Sequence, residues 1–296
     1  MSNTPPKAFP GDINAYILGK IMKEIVRRII AITERHRLTF EVTEKDSKTD
    51  MPDFFTNADV EAQERAVQWL QECFPTWGIV AEEADFTAEC SAEGCDIFFT
   101  LDPIDGTKAF IRKQSHGIGC MLSLVYDGEV IASYIGDINT KEMYGYRPES
   151  RWVYRISQFT DNQPLEIVQK PLASLIVSLR DEPGAFSEDI SRHLSSKRYG
   201  GLFSHMEVSG GSIGIHMARL WKGEVGAILL RPGSQNPWDY APITGINRRL
   251  GFKYVLLHED GPRVMEDGPI TRDPVLLEVP TLVIHENAVS ELLEKW

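Results

Sequence analysis

The chain holds 296 residues, 42% hydrophobic and 25% charged, enough for one large domain or two ordinary ones with a buried core, which excludes whole-chain disorder. Its 31 Lys and Arg against 43 Asp and Glu leave a net charge of −12, a field that repels phosphodiester backbones and anionic lipid. Nucleic acid and membranes are therefore not expected partners.

Cys73, Cys90, Cys95 and Cys120 form no CxxC pair and do not alternate with histidines at ligand spacing, so reduced thiols are expected rather than a zinc site. The N-terminus lacks the apolar region of a signal peptide, and no later run approaches the roughly 18 apolar residues of a membrane span. Both features predict a soluble cytoplasmic protein.

In chain order, Ile13, Ile17, Ile21, Ile25, Ile29 and Ile32 recur three or four residues apart, the period of one long amphipathic helix. The polar stretch from Glu41 to Asp53 reads as a loop. "ADVEAQERAVQWLQECF" gives a second helix that stops at Pro75. "WGIVAEEAD" and "CDIFFTLD" read as short strands ending in acids. From Ile118 an antiparallel meander follows, with Asp127-Gly128 in its first turn and Asn139-Thr140-Lys141 near its second.

Past about residue 165, strands and helices alternate: "SLIVSLR", "SEDISRHLSSK", "SGGSIGIHMARLWKG", "VGAILL", "WDYAPITGINRRLG" closed by Gly251, and "FKYVLL". "SELLEKW" closes the chain as a helix. The expected organisation is an α+β half over residues 1–160 and an α/β half over 161–296, joined in a single unit.

Four acidic sites stand where a strand ends or a helix begins, the places where separate segments converge: Asp59, Glu82, the pair Asp102 and Asp105, and Asp239. Taken singly, Asp59 and Asp239 fit helix caps and Glu82 fits a solvated strand end. The pair in "LDPIDGT" differs. A buried strand delivers Asp102, and Pro103 restricts the backbone between two anions that repel unless a cation neutralises them. Oxygen-only ligands suit a hard ion, Mg²⁺ before Mn²⁺ or Ca²⁺, although an Asx-capped turn also accounts for the spacing. Gly106-Thr107 adds backbone N–H groups suited to a phosphate. No GxxxxGK[ST] loop signals a nucleoside triphosphate donor, so water is the simplest phosphoryl acceptor.

At this point "LDPIDGT" and the later "WDYA" resemble the two signatures of the inositol monophosphatase family of Mg²⁺-dependent, lithium-sensitive phosphatases, which includes 3'(2'),5'-bisphosphate nucleotidases and histidinol-phosphate phosphatases. Upstream, "TNAD", "AEE" and Lys48-Thr49-Asp50 match as well. The resemblance implies a layered αβαβα sandwich and two or three Mg²⁺ ions. Glu82, Asp102 and the Ile104 carbonyl would hold the first, and Asp102, Asp105 and Asp239 the second. Asp59 would act through water near Glu82, where some members place a third ion. Gly106 and Thr107 would bind phosphate, and the Thr107 hydroxyl with Glu82 would orient the attacking water. A homodimer is the family's common habit.

The substrate is less legible. Inositol phosphatases usually carry an acid shortly before the Trp-Asp, whereas this chain reads "LLRPGSQNPWD". Arg231 either meets a second phosphate or carboxylate on the substrate or is held by a surface acid. Lys108 resembles the DGTK form of the nucleotidases and is equally an exposed loop lysine. Ser209, Gly210, Gly211 and Ser212 fit a substrate-facing turn or an ordinary helix cap. His205 and His216 read as surface or structural. The expected partner is a small phosphorylated metabolite. A regulatory member that binds a protein or RNA-containing complex is a competing reading, disfavoured by the intact acids. A structural Ca²⁺ module does not fit acids scattered from 59 to 239.

Overall fold

A computed structural model describes residues 13–45 and 53–296; Lys48-Thr49-Asp50 lies outside them. α1 (Ala15–His36) is capped by the Asn14 side chain and buries Leu18, Met22, Ile25, Val26, Ile29 and Ile30. The isoleucine series is only partly the buried stripe. A strict step of four drifts around a 3.6-residue helix, and Ile17 ends up 53% exposed.

The stretch read as a loop instead carries an antiparallel pair at its ends, β1 (Val42–Lys45) and β2 (Asp53–Thr56). "VTEK" has no apolar alternation to announce a strand. α2 (Asn57–Cys73) follows, and Phe74, placed before Pro75, ends it.

β3 (Gly78–Ala81), β4 (Phe86–Ala88), β5 (Ile97–Asp105), the short helix α3 (Thr107–Ile111), β6 (Gly119–Tyr126), β7 (Glu129–Asp137), β8 (Met143–Tyr146), β9 (Tyr154–Ile156) and β10 (Gln163–Pro164) come next. Their strands form one sheet in the order β10-β9-β8-β7-β6-β5-β3-β4, antiparallel except for β3 beside β5. Asp127 and Gly128, with φ of 45° and 81°, make the tight turn expected between β6 and β7.

The remainder comprises β11 (Ile176–Leu179), α4 (Glu188–Leu194), β12 (His205–Val208), α5 (Ile213–Trp221), β13 (Ala227–Leu230), β14 (Gly233–Gln235), α6 (Pro237–Leu250), β15 (Phe252–His258), β16 (Gly261–Val264), β17 (Val275–Leu277), β18 (Thr281–His285) and α7 (Glu286–Lys295). The second sheet runs β12-β11-β13-β18-β15-β16, with β11 parallel to both its neighbours and the other pairs antiparallel.

Strand alternation builds the layers. Phe99, Leu101, Leu122 and Leu124 pack under α1 and α2. Phe98, Met121, Val125 and Ile135 face the other way, onto α5 and α6, which also meet Ile228 and Val283 of the second sheet. Leu229, Leu257 and Ile284 on that sheet's far side pack against α4 and α7. The result is the five-layer αβαβα sandwich. The four cysteines are free thiols, and among the described residues no helix is long and apolar enough to cross a membrane.

Candidate metal centre

β5 is buried along all nine residues, so its last turn of backbone is held rigidly. Its register against β6 breaks between Asp102, opposite Met121, and Asp105, opposite Gly119. Pro103, which has no N–H to offer the ladder, sits in that break and lets both carboxylates leave the sheet at one place. Asp239 enters from the first turn of α6, behind Pro237 at the helix start. One carboxylate oxygen from each of Asp102, Asp105 and Asp239 lies within 4.8 Å of the others.

Glu82 supplies a fourth carboxylate, close enough to Asp102 to hydrogen-bond with it. Two contacts fix it there. The Glu82 amide donates to the Leu101 carbonyl at 3.1 Å, and Gln63 of α2 grips the next residue, with Nε2 donating to the Glu83 carbonyl at 2.7 Å and Oε1 accepting from its amide at 2.8 Å. Gln63 is a positioning residue that no motif announced.

The electrostatics follow from the crowding. Burial, then the charges of Glu82, Asp105 and Asp239, push the Asp102 carboxyl well above the usual carboxylate range. Asp239 is raised the same way, first by burial and then by Asp105 and Glu82, with Arg180 partly opposing. Buried Oδ1 of Asp102 has no hydrogen-bond partner. A buried carboxylate oxygen without a hydrogen-bond partner, on a residue crowded by further carboxylates, suits a hard divalent cation, so these residues match the group that the acid pattern implied.

Asp105 is held differently. Oδ1 accepts from the Ile213 amide at 3.0 Å and Oδ2 from the Gly214 amide at 2.6 Å, and the Ser212 hydroxyl donates to Oδ2. The N-terminus of α5 thus cradles this carboxylate. Burial raises its pKa, and the Ser212 hydroxyl, Arg180 and those two amides oppose the rise. Gly214 permits the approach, since a Cβ there would stand 2.8 Å from Met121 Sδ. Ser212 is therefore placed on Asp105, a position its sequence context did not reveal.

Asp59 is wholly buried and closes the capping box of α2, Oδ2 accepting from the Thr56 amide at 2.8 Å and the Thr56 hydroxyl at 2.5 Å. Its Oδ1 lies 3.3 Å from the Thr107 hydroxyl, which also lies 3.1 Å from the Ile104 carbonyl. Thr107, expected to work with Glu82, is thus placed against Asp59 and Ile104. Gly106 caps α3 with φ of 93°; a Cβ there would come within 2.5 Å of the Gly117 carbonyl and 2.7 Å of the Ser212 amide.

The cations divide. Lys108 is exposed on α3. Arg231 is 64% exposed and pairs with Asp181 at 3.6 Å. Arg180, which sequence reasoning passed over, donates from Nη2 to the Gly211 carbonyl at 2.6 Å. The signal was present, because Arg180 ends a strand as the acids do. His216 is buried on the Ser178 hydroxyl at 2.8 Å, its pKa pushed down to about 3 by burial and then by Arg180 and Arg219, while His205 lies exposed on β12.

A five-layer sandwich that gathers four carboxylates at the ends of β3 and β5 and the start of α6 defines a protein with a site suited to a hard cation. The sequence profile of the inositol monophosphatase family matches residues 14–291, and the chain belongs to that family, whose members are phosphatases. Among relatives, the chloroplastic bifunctional phosphatase IMPL2 of Arabidopsis thaliana is 28% identical over 200 residues, 67% of this chain and 51% of that protein, so the match spans about half of its length. The inositol-1-monophosphatase of Bacillus subtilis is 25% identical over 214 residues, 72% of this chain and 76% of that one. An IMPase/NADP phosphatase solved with NADP and Ca²⁺ superimposes with a TM-score of 0.72 at 20% identity, covering 96% of this chain and 97% of that one, a likeness of fold.

Proposed function

We propose that the chain is a Mg²⁺-dependent phosphomonoesterase that hydrolyses a small-molecule phosphate ester with water as acceptor. The observation that carries this reading is the convergence of Asp102, Asp105 and Asp239, one oxygen of each within 4.8 Å of the others, with Asp102 Oδ1 left without a hydrogen-bond partner. Glu82, Asp102 and the Ile104 carbonyl would hold one ion; Asp102, Asp105 and Asp239 would hold another; Asp59 would act through water near Glu82, toward a third. Such ions lower the pKa of bound water and stabilise a departing alkoxide.

The chain's own residues then have separable tasks. Asp102 and Asp105 leave a rigid strand, so the two carboxylates need little reorganisation to serve together. The α5 amides and Ser212 favour the ionised form of Asp105 against its burial and aim the carboxylate. The Thr107 hydroxyl donates to Asp59 Oδ1 or, at the shorter distance, to the Ile104 carbonyl, and its lone pairs would then help Glu82 orient the attacking water. Gly106, packed where a Cβ would clash with Gly117 and Ser212, fixes the turn in which the amides of Gly106 and Thr107 would meet phosphate oxygens.

Activity as a 3'(2'),5'-bisphosphate nucleotidase or histidinol-phosphate phosphatase belongs to the same reading as the finer choice. Phosphate release from inositol 1-phosphate, adenosine 3',5'-bisphosphate, histidinol phosphate and fructose 1,6-bisphosphate, with Mg²⁺ and with a chelator, tests it. Release from at least one ester that stops on chelation is expected. Release that is indifferent to Mg²⁺ would refute the metal-dependent reading.

A further inference from the structure

The cations along α1 divide into two groups. Toward its C-terminal end they meet acids: Arg28 Nε donates to Glu24 at 3.0 Å, Arg35 pairs with Glu61, and Arg37 pairs with Glu34 at 2.7 Å. Toward its N-terminal end they do not. Among the described residues, Lys20, Lys23 and Arg147, the last just past β8, have no acid within ion-pair distance. Arg27 reaches only Glu24, at 3.9 Å, which Arg28 already holds, and Arg147 Nη1 donates to the neutral Pro148 carbonyl at 2.9 Å.

These groups share one place. Tyr16, Lys20, Lys23 and Arg27 follow at steps of four, three and four, which at about 100° per residue sets them within about 60° of one another around the helix. Arg147 flanks that stripe, its stem so near α1 that a Cβ on Gly19 would stand 2.6 Å from Arg147 Cβ. The Tyr16 ring gathers two of the cations, with Lys20 Nζ 4.7 Å and Arg147 Cζ 6.0 Å from its centroid. Lys23 is half-buried beside them. Its pKa is pushed down first by burial and then by the charge of Arg27, with Lys20 and Arg147 adding to the fall and Tyr16 opposing it. Like charges three and four residues apart on a helix repel, so the arrangement destabilises α1 unless an anion neutralises it. No acid stands in the first turn of α1, and the helix dipole adds to the same positive field. In a chain of net charge −12, the cluster is a local reversal of sign. The metal centre uses none of these groups, since α1 covers the face of the first sheet opposite α5 and α6.

We propose that Tyr16, Lys20, Lys23, Arg27 and Arg147 form a second ligand site, which takes a small, multiply charged phosphate anion free in solution. Ammonium groups meet phosphate oxygens as point charges, and the Arg147 fork meets two at once. Lys20 and Arg147 gather about one ring, with Lys23 among them, rather than lining a groove, which favours a compact anion over an extended polymer. The net charge of −12 opposes approach to an anionic membrane. This site stands apart from the phosphomonoesterase reading and does not depend on it.

Calorimetric titration of the full chain with inorganic pyrophosphate tests it. Metal is first stripped on a chelating resin, so that the bare carboxylates repel pyrophosphate from the metal centre and no anionic chelator competes. One saturable site is expected, with Kd below about 1 mM at low salt and weakening as salt rises. Lys23→Gln and Arg147→Gln are each expected to weaken binding at least about tenfold, with Lys23→Arg restoring part of it. Lys20 is exposed, so Lys20→Gln, with a loss in the same direction, keeps the test sound should the other variants fold poorly. Arg28→Gln removes a charge from the same helix but one already paired with Glu24, and is expected to leave Kd within about twofold of the parent. Absence of saturable binding, parental affinity in both Lys20→Gln and Lys23→Gln, or an equal loss in Arg28→Gln would overturn the proposal. Vesicles of phosphatidylcholine and phosphatidylglycerol are expected not to sediment the protein; sedimentation that Lys23→Gln abolishes would assign the cluster to a membrane surface and overturn the free-anion reading.

Discussion

Replacing Asp102 by Asn tests the cation logic at its centre. In the metal-free protein this carboxylate faces Asp105 and Asp239 with oxygens within 4.8 Å, and Coulomb's law at an effective dielectric constant of about 20 puts each such repulsion, for fully charged groups, at about 3.5 kcal/mol or more. Partial protonation of the raised carboxyls relieves part of that. An amide in place of the orphaned oxygen removes a charge and gains a donor for Glu82, so Asp102→Asn should stabilise the chelator-treated protein by about 2 kcal/mol. At about 2–4 °C per kcal/mol for a chain near this size, Tm rises by roughly 5 °C. The parent, in turn, should gain about 2.7 kcal/mol from Mg²⁺ at a hundred times Kd, a gain the variant loses together with its activity. Thermal unfolding with chelator and with saturating Mg²⁺ reads both effects. A variant that is less stable than the parent in chelator, or equally stabilised by Mg²⁺, would refute the reasoning.

Asp105→Asn should behave in the opposite sense, because its two oxygens already accept from Ile213, Gly214 and Ser212. Turning an amide N–H against those donors costs about 1–3 kcal/mol in urea titrations, and loss of a proposed metal-ligand carboxylate should lower phosphate release roughly a thousandfold. Gly106→Ala must place a Cβ 2.5 Å from the Gly117 carbonyl at φ of 93°, so a loss of at least about 2 kcal/mol is expected, with impaired activity; an unperturbed variant would show that the turn is slack. His216, lowered from 6.5 to about 3, binds its proton in the unfolded chain before the folded one, so its contribution is intact above pH 6.5 and lost as pH falls. Between pH 7 and pH 5 that linkage is worth about 2 kcal/mol, and His216→Gln should show a correspondingly flatter change in urea midpoint. Lithium should inhibit the parent enzyme; insensitivity at high millimolar concentration would count against the proposed ion arrangement.

Local sequence determined a good deal here. The 3.6-residue period of α1, the Pro75 stop of α2, the Asp127-Gly128 turn and the Gly251 cap each follow from the backbone chemistry of a few adjacent residues. The strand-end acids were legible as candidates for the same reason, although a cap or an Asx turn accounts for each within its own segment. The pair β1 and β2 was not legible, because Val42, Thr43 and Glu44 are exposed and the segment carries no alternation. Tertiary structure alone decided which acid meets which partner. Packing α5 across β6 put Ser212 and two amides on Asp105, and packing α2 under β3 put Gln63 behind Glu82 and Asp59 beside Thr107. Side-chain chemistry is written residue by residue, but distance across layers is set by how the whole core closes.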